Sequence, residues 1–105
     1  MNAEIEETLK RIESTHKSVM GVIVTDDEGN IIKSTLSENK ESSESYANII
    51  CDIVEKARMA LKDKEYMNDE LTFLKIRTKR IEFIVVPDKD YILITLLNPT
   101  LESTA

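Results

Sequence analysis

Ile81-Glu82-Phe83-Ile84-Val85-Val86-Pro87-Asp88-Lys89-Asp90-Tyr91-Ile92-Leu93-Ile94-Thr95-Leu96-Leu97 decides the fold. Two apolar runs with several β-branched residues, Ile81–Pro87 and Tyr91–Leu97, are joined by the tight link Asp88-Lys89-Asp90, which permits only antiparallel neighbours. A third run, Leu71–Thr78, precedes them across Lys79-Arg80, so the C-terminal third is predicted to be a meander. A sheet with one wet face should alternate apolar and polar residues. Here Ile81, Phe83 and Val85 oppose Ile84 and Val86, and only Glu82 is charged. Tyr91, Leu93 and Leu97 likewise oppose Ile92, Ile94 and Leu96. Both faces of these strands therefore need cover.

Working toward the N-terminus, Val19–Thr25 and Ile31–Thr35 read as a hairpin about the turn Asp26-Asp27-Glu28-Gly29-Asn30. A helix is expected from about Ser45 to Lys62, after a polar loop over Ser37–Ser45. Another is expected over Glu4–Ser14, where Ile5, Leu9 and Ile12 make a narrow apolar stripe that continues to His16. Asn-Pro at 98–99 stops the last strand, and a polar tail, 100–105, follows. The order α-β-β-α-β-β-β predicts an α+β fold on one mostly antiparallel sheet. The chain is read as a single domain over 1–105, with its ordered core at about 3–99.

The second helix is apolar over too wide an arc. Ile49, Ala60, Ile53, Ala57, Ile50, Leu61, Val54 and Ala47 span about 160° on an ideal helix, where ~100° suffices to lie on one sheet. One reading is a helix sunk deeply into its own domain. The sharper one is a helix that touches its own sheet on one side and a second subunit on the other. With the two-faced meander, this favours an obligate oligomer or a peptide-binding platform.

Composition narrows the function further. The chain has 105 residues, 14 Lys and Arg against 20 Asp and Glu, a net charge of −6, 2 Gly, 1 Cys and 1 His. One Cys forms no internal disulfide, and one Cys with one His cannot furnish a typical zinc site. Gly21 and Gly29 cannot write a Walker or dinucleotide-binding loop. His16 sits at or past the end of the first helix and Cys51 midway along the second, and a Cys–His nucleophile would need contact and a third orienting group. Asp26–Asn30 resembles a cation loop in composition but lacks the ligand spacing of an EF-hand. Asp88 and Asp90 read as turn residues. No cofactor and no enzymatic activity are expected.

Lys75, Arg77, Lys79 and Arg80 form a basic cluster, yet no aromatic is interleaved and the chain is acidic, which argues against nucleic acid. Charge that limits unspecific pairing of an edge strand, or attraction to an acidic partner, accounts for it better. Ser42, Ser43 and Ser45 suit a helix start without any need of phosphorylation. No apolar run reaches membrane-spanning length, no secretory signal is read at the N-terminus, and Cys51 is unpaired. Those features predict a cytoplasmic protein without direct membrane insertion.

Several blocks resemble one family. Glu6-Glu7-Thr8-Leu9-Lys10-Arg11-Ile12, Gly21–Val24 with Glu28–Thr35, Asn68–Lys79 containing Leu-Thr-Phe-Leu, Pro87-Asp88-Lys89-Asp90-Tyr91 and Asn98-Pro99 are similar, in order and spacing, to roadblock-type dynein light chains. The resemblance implies a roadblock/longin-like fold with strand order 2-1-5-4-3, flanked by two helices. It further implies a homodimer with one ten-stranded sheet, in which the second helices pack and the third strands pair. The implied dimer residues are Ile49, Ile50, Ile53, Ala57, Ala60, Thr72, Leu74 and Ile76. In the dynein family the dimer grips a segment of the intermediate chain, here assigned to Ile5, Leu9 and Ile12. The expected role is a non-catalytic dynein subunit on microtubules, cytoplasmic or axonemal, linked indirectly to other light chains and the heavy chain. Other relatives of the fold are scaffolds for small GTPases, and some bacterial ones stimulate GTP hydrolysis by their partner.

Overall fold

The computed structural model of the chain describes residues 3, 5, 7, 8, 19–36 and 40–99. Among them, five strands and one long helix have defined spans: β1 (Val19–Asp26), β2 (Ile31–Ser34), α1 (Lys40–Lys62), β3 (Leu74–Arg77), β4 (Glu82–Pro87) and β5 (Tyr91–Leu97). The strands form one sheet in the order β2-β1-β5-β4-β3, with every pairing antiparallel. This matches the expected strand order and meander.

The β1–β2 turn forms as its residues dictate. Asp26 Oδ1 accepts the amides of Glu28 and Asn30 at 2.9 Å each, and Asn30 Nδ2 donates to Oδ2 at 3.0 Å. Gly29 takes φ 93°, where an L side chain is strained. Those amides, and above all the Asn30 side chain, hold the Asp26 carboxyl below its ordinary pKa.

Several boundaries move from the sequence expectation, three elements most clearly. The helix begins at Lys40 rather than Ser45, because its first turns have a tertiary partner. Ser43 is buried one turn before Ala47, and its hydroxyl lies 3.0 Å from that of Ser34. Strand β3 is confined to Leu74–Arg77 rather than Leu71–Thr78. Leu74 pairs with Val85, so continuing the ladder would set Thr72 against Pro87, which has no N–H to donate. At the other end, Thr78 turns the chain. Its amide donates to the Ile81 carbonyl at 2.8 Å, and its Oγ1 accepts the Ile81 amide at 3.1 Å. Ile81 therefore belongs to the turn and β4 starts at Glu82.

The helix lies across one face of the sheet. Ala47, Ile50 and Val54 meet Ile23 of β1, Phe83 and Val85 of β4, and Ile92, Ile94 and Leu96 of β5. On the other face Val22 and Val24 form a smaller cluster with Val19, Leu93 and Ile5. Ala3, Ile5, Glu7 and Thr8 have helical backbone. Leu9, Ile12, His16 and the tail at 100–105 lie outside the described residues, so one helix, not two, has a described span.

Candidate association site

The over-wide apolar arc of α1 is divided by the sheet. Its centre is core: Ala47, Ile50 and Val54 are at most 1% exposed. One margin turns toward β1, where Cys51 Sγ lies 3.6 Å from Thr25 Oγ1. The other turns toward β4 and β3, because the Tyr46 ring meets Phe83 edge-on, with centroids 5.6 Å apart. Ile49, Ile53 and Ala60 continue from Tyr46 on that margin, by helical geometry. Ile49 is 56% exposed, Ala60 is exposed and Ile53 is half-buried. An apolar strip thus borders the side of the sheet that ends in β3.

β3 is the last strand on that side. Leu74 and Ile76 point toward the helix layer, half-buried against the core, and Lys75 and Arg77 point to the opposite face. Thr72 is exposed just before the strand. The structure therefore brings together Ile49, Ile53, Ala57 and Ala60 with Thr72, Leu74 and Ile76 on one flank. Ile50 is the exception. It is a core residue of its own chain, since it sits 100° around the helix from Ile49, and it has no surface to offer a partner. Ile5 packs on Val22 and Val24, while Leu9 and Ile12 lie outside the described residues.

The sequence reading missed Phe73, 52% exposed, and Met59, Tyr66 and Met67, which are more exposed still. Met59 falls on the charged side of the helix, and the others lie in the irregular link from α1 to β3, where periodicity carries no signal. Glu82, read from the sequence only as the one charge in its strand, has partners the pattern did not reveal. This residue is only 2% exposed, and its carboxylate is bound by Arg77 Nε and Nη2 at 2.7 and 2.6 Å and by Lys75 Nζ at 3.1 Å. Burial alone would raise its pKa, but the two cations outweigh that and hold it below the ordinary value.

Of the groups considered for chemistry, His16 lies outside the described residues and Cys51 sits beside Thr25. Burial pushes the Cys51 thiol up, aided by the Asp26 charge and opposed by the Thr25 hydroxyl, so little thiolate forms at neutral pH. Among the described residues no cluster of His, Cys, Asp and Glu is arranged to hold a metal ion, and no helix is long and apolar enough to cross a membrane.

A five-stranded antiparallel sheet in this order, carrying a long helix across one face, defines a specific class of small α+β domain. The chain belongs to the Roadblock/LC7 domain family, whose pattern it matches over residues 4–98. It is similar in structure to a Roadblock/LC7 domain from Streptomyces avermitilis, with TM-score 0.74 and 9% identity over 86% of this chain and 74% of that one. MglB of Myxococcus xanthus gives TM-score 0.72 and 15% identity over 93% and 78% of the two chains. An MglB with a tetrameric arrangement gives 0.68 and 13% over 95% and 76%. At such identities these likenesses concern the fold.

Proposed function

We propose that the chain is a non-catalytic assembly module that works as a symmetric dimer and serves as a scaffold or regulator of a small GTPase. The observation that carries the dimer is the apolar flank of α1, with Ile49 56% exposed, beside the open edge of β3. A lone copy leaves both in water, whereas a second copy covers both at once. A two-fold axis perpendicular to the sheet would keep both helices on one face, join the β3 strands and make one ten-stranded sheet. The interface would consist of Ile49, Ile53, Ala57 and Ala60 with Thr72, Leu74 and Ile76.

Likeness to bacterial members of the fold favours the GTPase as the partner such a dimer holds. A second reading, a dynein light chain that grips the intermediate chain, gains nothing from those structures. The blocks Leu71-Thr72-Phe73-Leu74 and Pro87-Asp88-Lys89-Asp90-Tyr91 favour it. In that reading Ile5, Leu9 and Ile12 contact the intermediate chain, and the protein works in the cytoplasm on a microtubule-bound complex. Under either reading, bivalency raises the effective concentration of two linked chains.

Sedimentation gives the mass, and titration separates the partners. A dimer that binds a small GTPase supports the first reading. A dimer that ignores the GTPase but binds an intermediate-chain segment selects the second. A monomer at every concentration overturns both.

A further inference from the structure

Strand β3 carries two charges of a kind that ordinarily guard an edge. Lys75 and Arg77 share the face away from α1 and are each about half-exposed, at 51%. Cations in such positions discourage an edge strand from pairing with another chain. The symmetry of the proposed dimer makes the conflict specific. Both helices lie on one face, so residues directly opposite each other across the two β3 strands must point to the same side. A two-fold centred on Lys75 sets Lys75 against Lys75 of the second copy. A two-fold centred on Ile76 sets Lys75 against Arg77. In both registers like charge meets like charge, which is destabilising in a directly opposed pair.

The molecule contains the answer one strand inward. Glu82 is the cross-strand partner of Arg77, and its carboxylate reaches both cations. Carboxylates are seldom buried unless paired, and this one is 3% exposed with both basic heads on it.

We propose that Glu82 is the positioning residue that makes the β3 edge competent to pair with a second copy, by offsetting half of the charge of Lys75 and Arg77 and holding their heads back. This rests on the dimer reading and goes beyond it. Glu82 itself makes no contact across the edge. It acts through the two basic side chains, drawing their heads over β4 and leaving the outer N–H and C=O groups of β3 accessible.

The experiment is sedimentation of the parent chain, Glu82→Gln and the triple variant Lys75→Gln, Arg77→Gln, Glu82→Gln at low and high salt, with circular dichroism to confirm folding. Glu82→Gln is expected to weaken the dimer about tenfold at low salt, the scale of uncompensated like-charge pairs at two symmetric positions. High salt should return much of that loss by screening. The triple variant, with no charge left to oppose, should dimerise as the parent does even though every ion pair is gone. A merely structural role predicts the reverse, with the triple variant no better than Glu82→Gln and no rescue by salt, and that result overturns the inference. A Glu82→Gln dimer as tight as the parent at low salt overturns it too. A parent chain that never dimerises instead overturns the dimer reading beneath it.

Discussion

Ile49 and Ile50 are adjacent in the chain and opposite in environment: the first is 56% exposed on the flank of α1, the second 1% exposed against the sheet. The 100° step of a helix separates the two roles. Ile50→Ala should therefore cost about 3 kcal/mol of folding stability, the usual scale for emptying a buried aliphatic site. Denaturant titration of a variant held as monomer checks this, and a loss near zero would mean that the core is misplaced.

Ile49→Asp should do the opposite. It touches no core contact, so monomer stability should stay within about 0.5 kcal/mol of the parent. Self-association should be lost, because a charge would be buried without a partner. Ile53→Glu is expected to act in the same direction. Sedimentation equilibrium decides, and an unchanged dimer would place the interface elsewhere.

Gly29→Ala tests the first hairpin. The residue holds φ 93°, and an added Cβ would lie 3.4 Å from Cys51 Cβ, close but not overlapping. Backbone strain rather than collision should dominate, at about 1–2 kcal/mol. A thermal melt unchanged from the parent would contradict that geometry.

Acid should weaken the fold through Glu82. Its carboxyl binds a proton less readily in the folded chain than in the unfolded one, because Arg77 and Lys75 outweigh the effect of burial. The unfolded state therefore takes up more protons just below the ordinary glutamate pKa, and stability falls as pH drops through the folded value. The contribution is fully present above the ordinary value. Glu82→Gln should flatten this part of the acid limb in denaturant titrations at stepped pH. An acid limb identical to the parent's would show that the ion pairs do not persist in solution.

Much of this architecture is written in local pattern. Tyr91–Leu97 forms the strand its β-branched run predicts, and Asp26–Asn30 makes the turn its side chains encode. The over-wide arc of α1 correctly pointed to apolar surface beyond the needs of one sheet. What local pattern could not carry were contacts between distant residues. The helix extends to Lys40 because Ser43 finds Ser34, a pairing that composition alone made look like loop. β3 stops before Phe73 because Pro87 sits across the ladder, and a register is needed to see that. Glu82 looked like the one charged interruption of an apolar strand. Its partners, Lys75 and Arg77, become visible only when two strands are laid side by side.

The sheet order also has a consequence for how the protein is made. β1 lies between β2 and β5, pairing from Val19↔Leu97 to Asp26↔Tyr91, so the seam of the sheet joins segments far apart in the chain. During synthesis the β1–β2 hairpin and α1 emerge first and wait for β5 before the sheet can close. Until then Val22, Ile23 and Val24 have no strand on one side, and the β1 edge stays unsealed. Such non-local closure slows folding and exposes the nascent chain to aggregation. Arrival of β5, rather than any early hairpin, is the event that lets the sheet close.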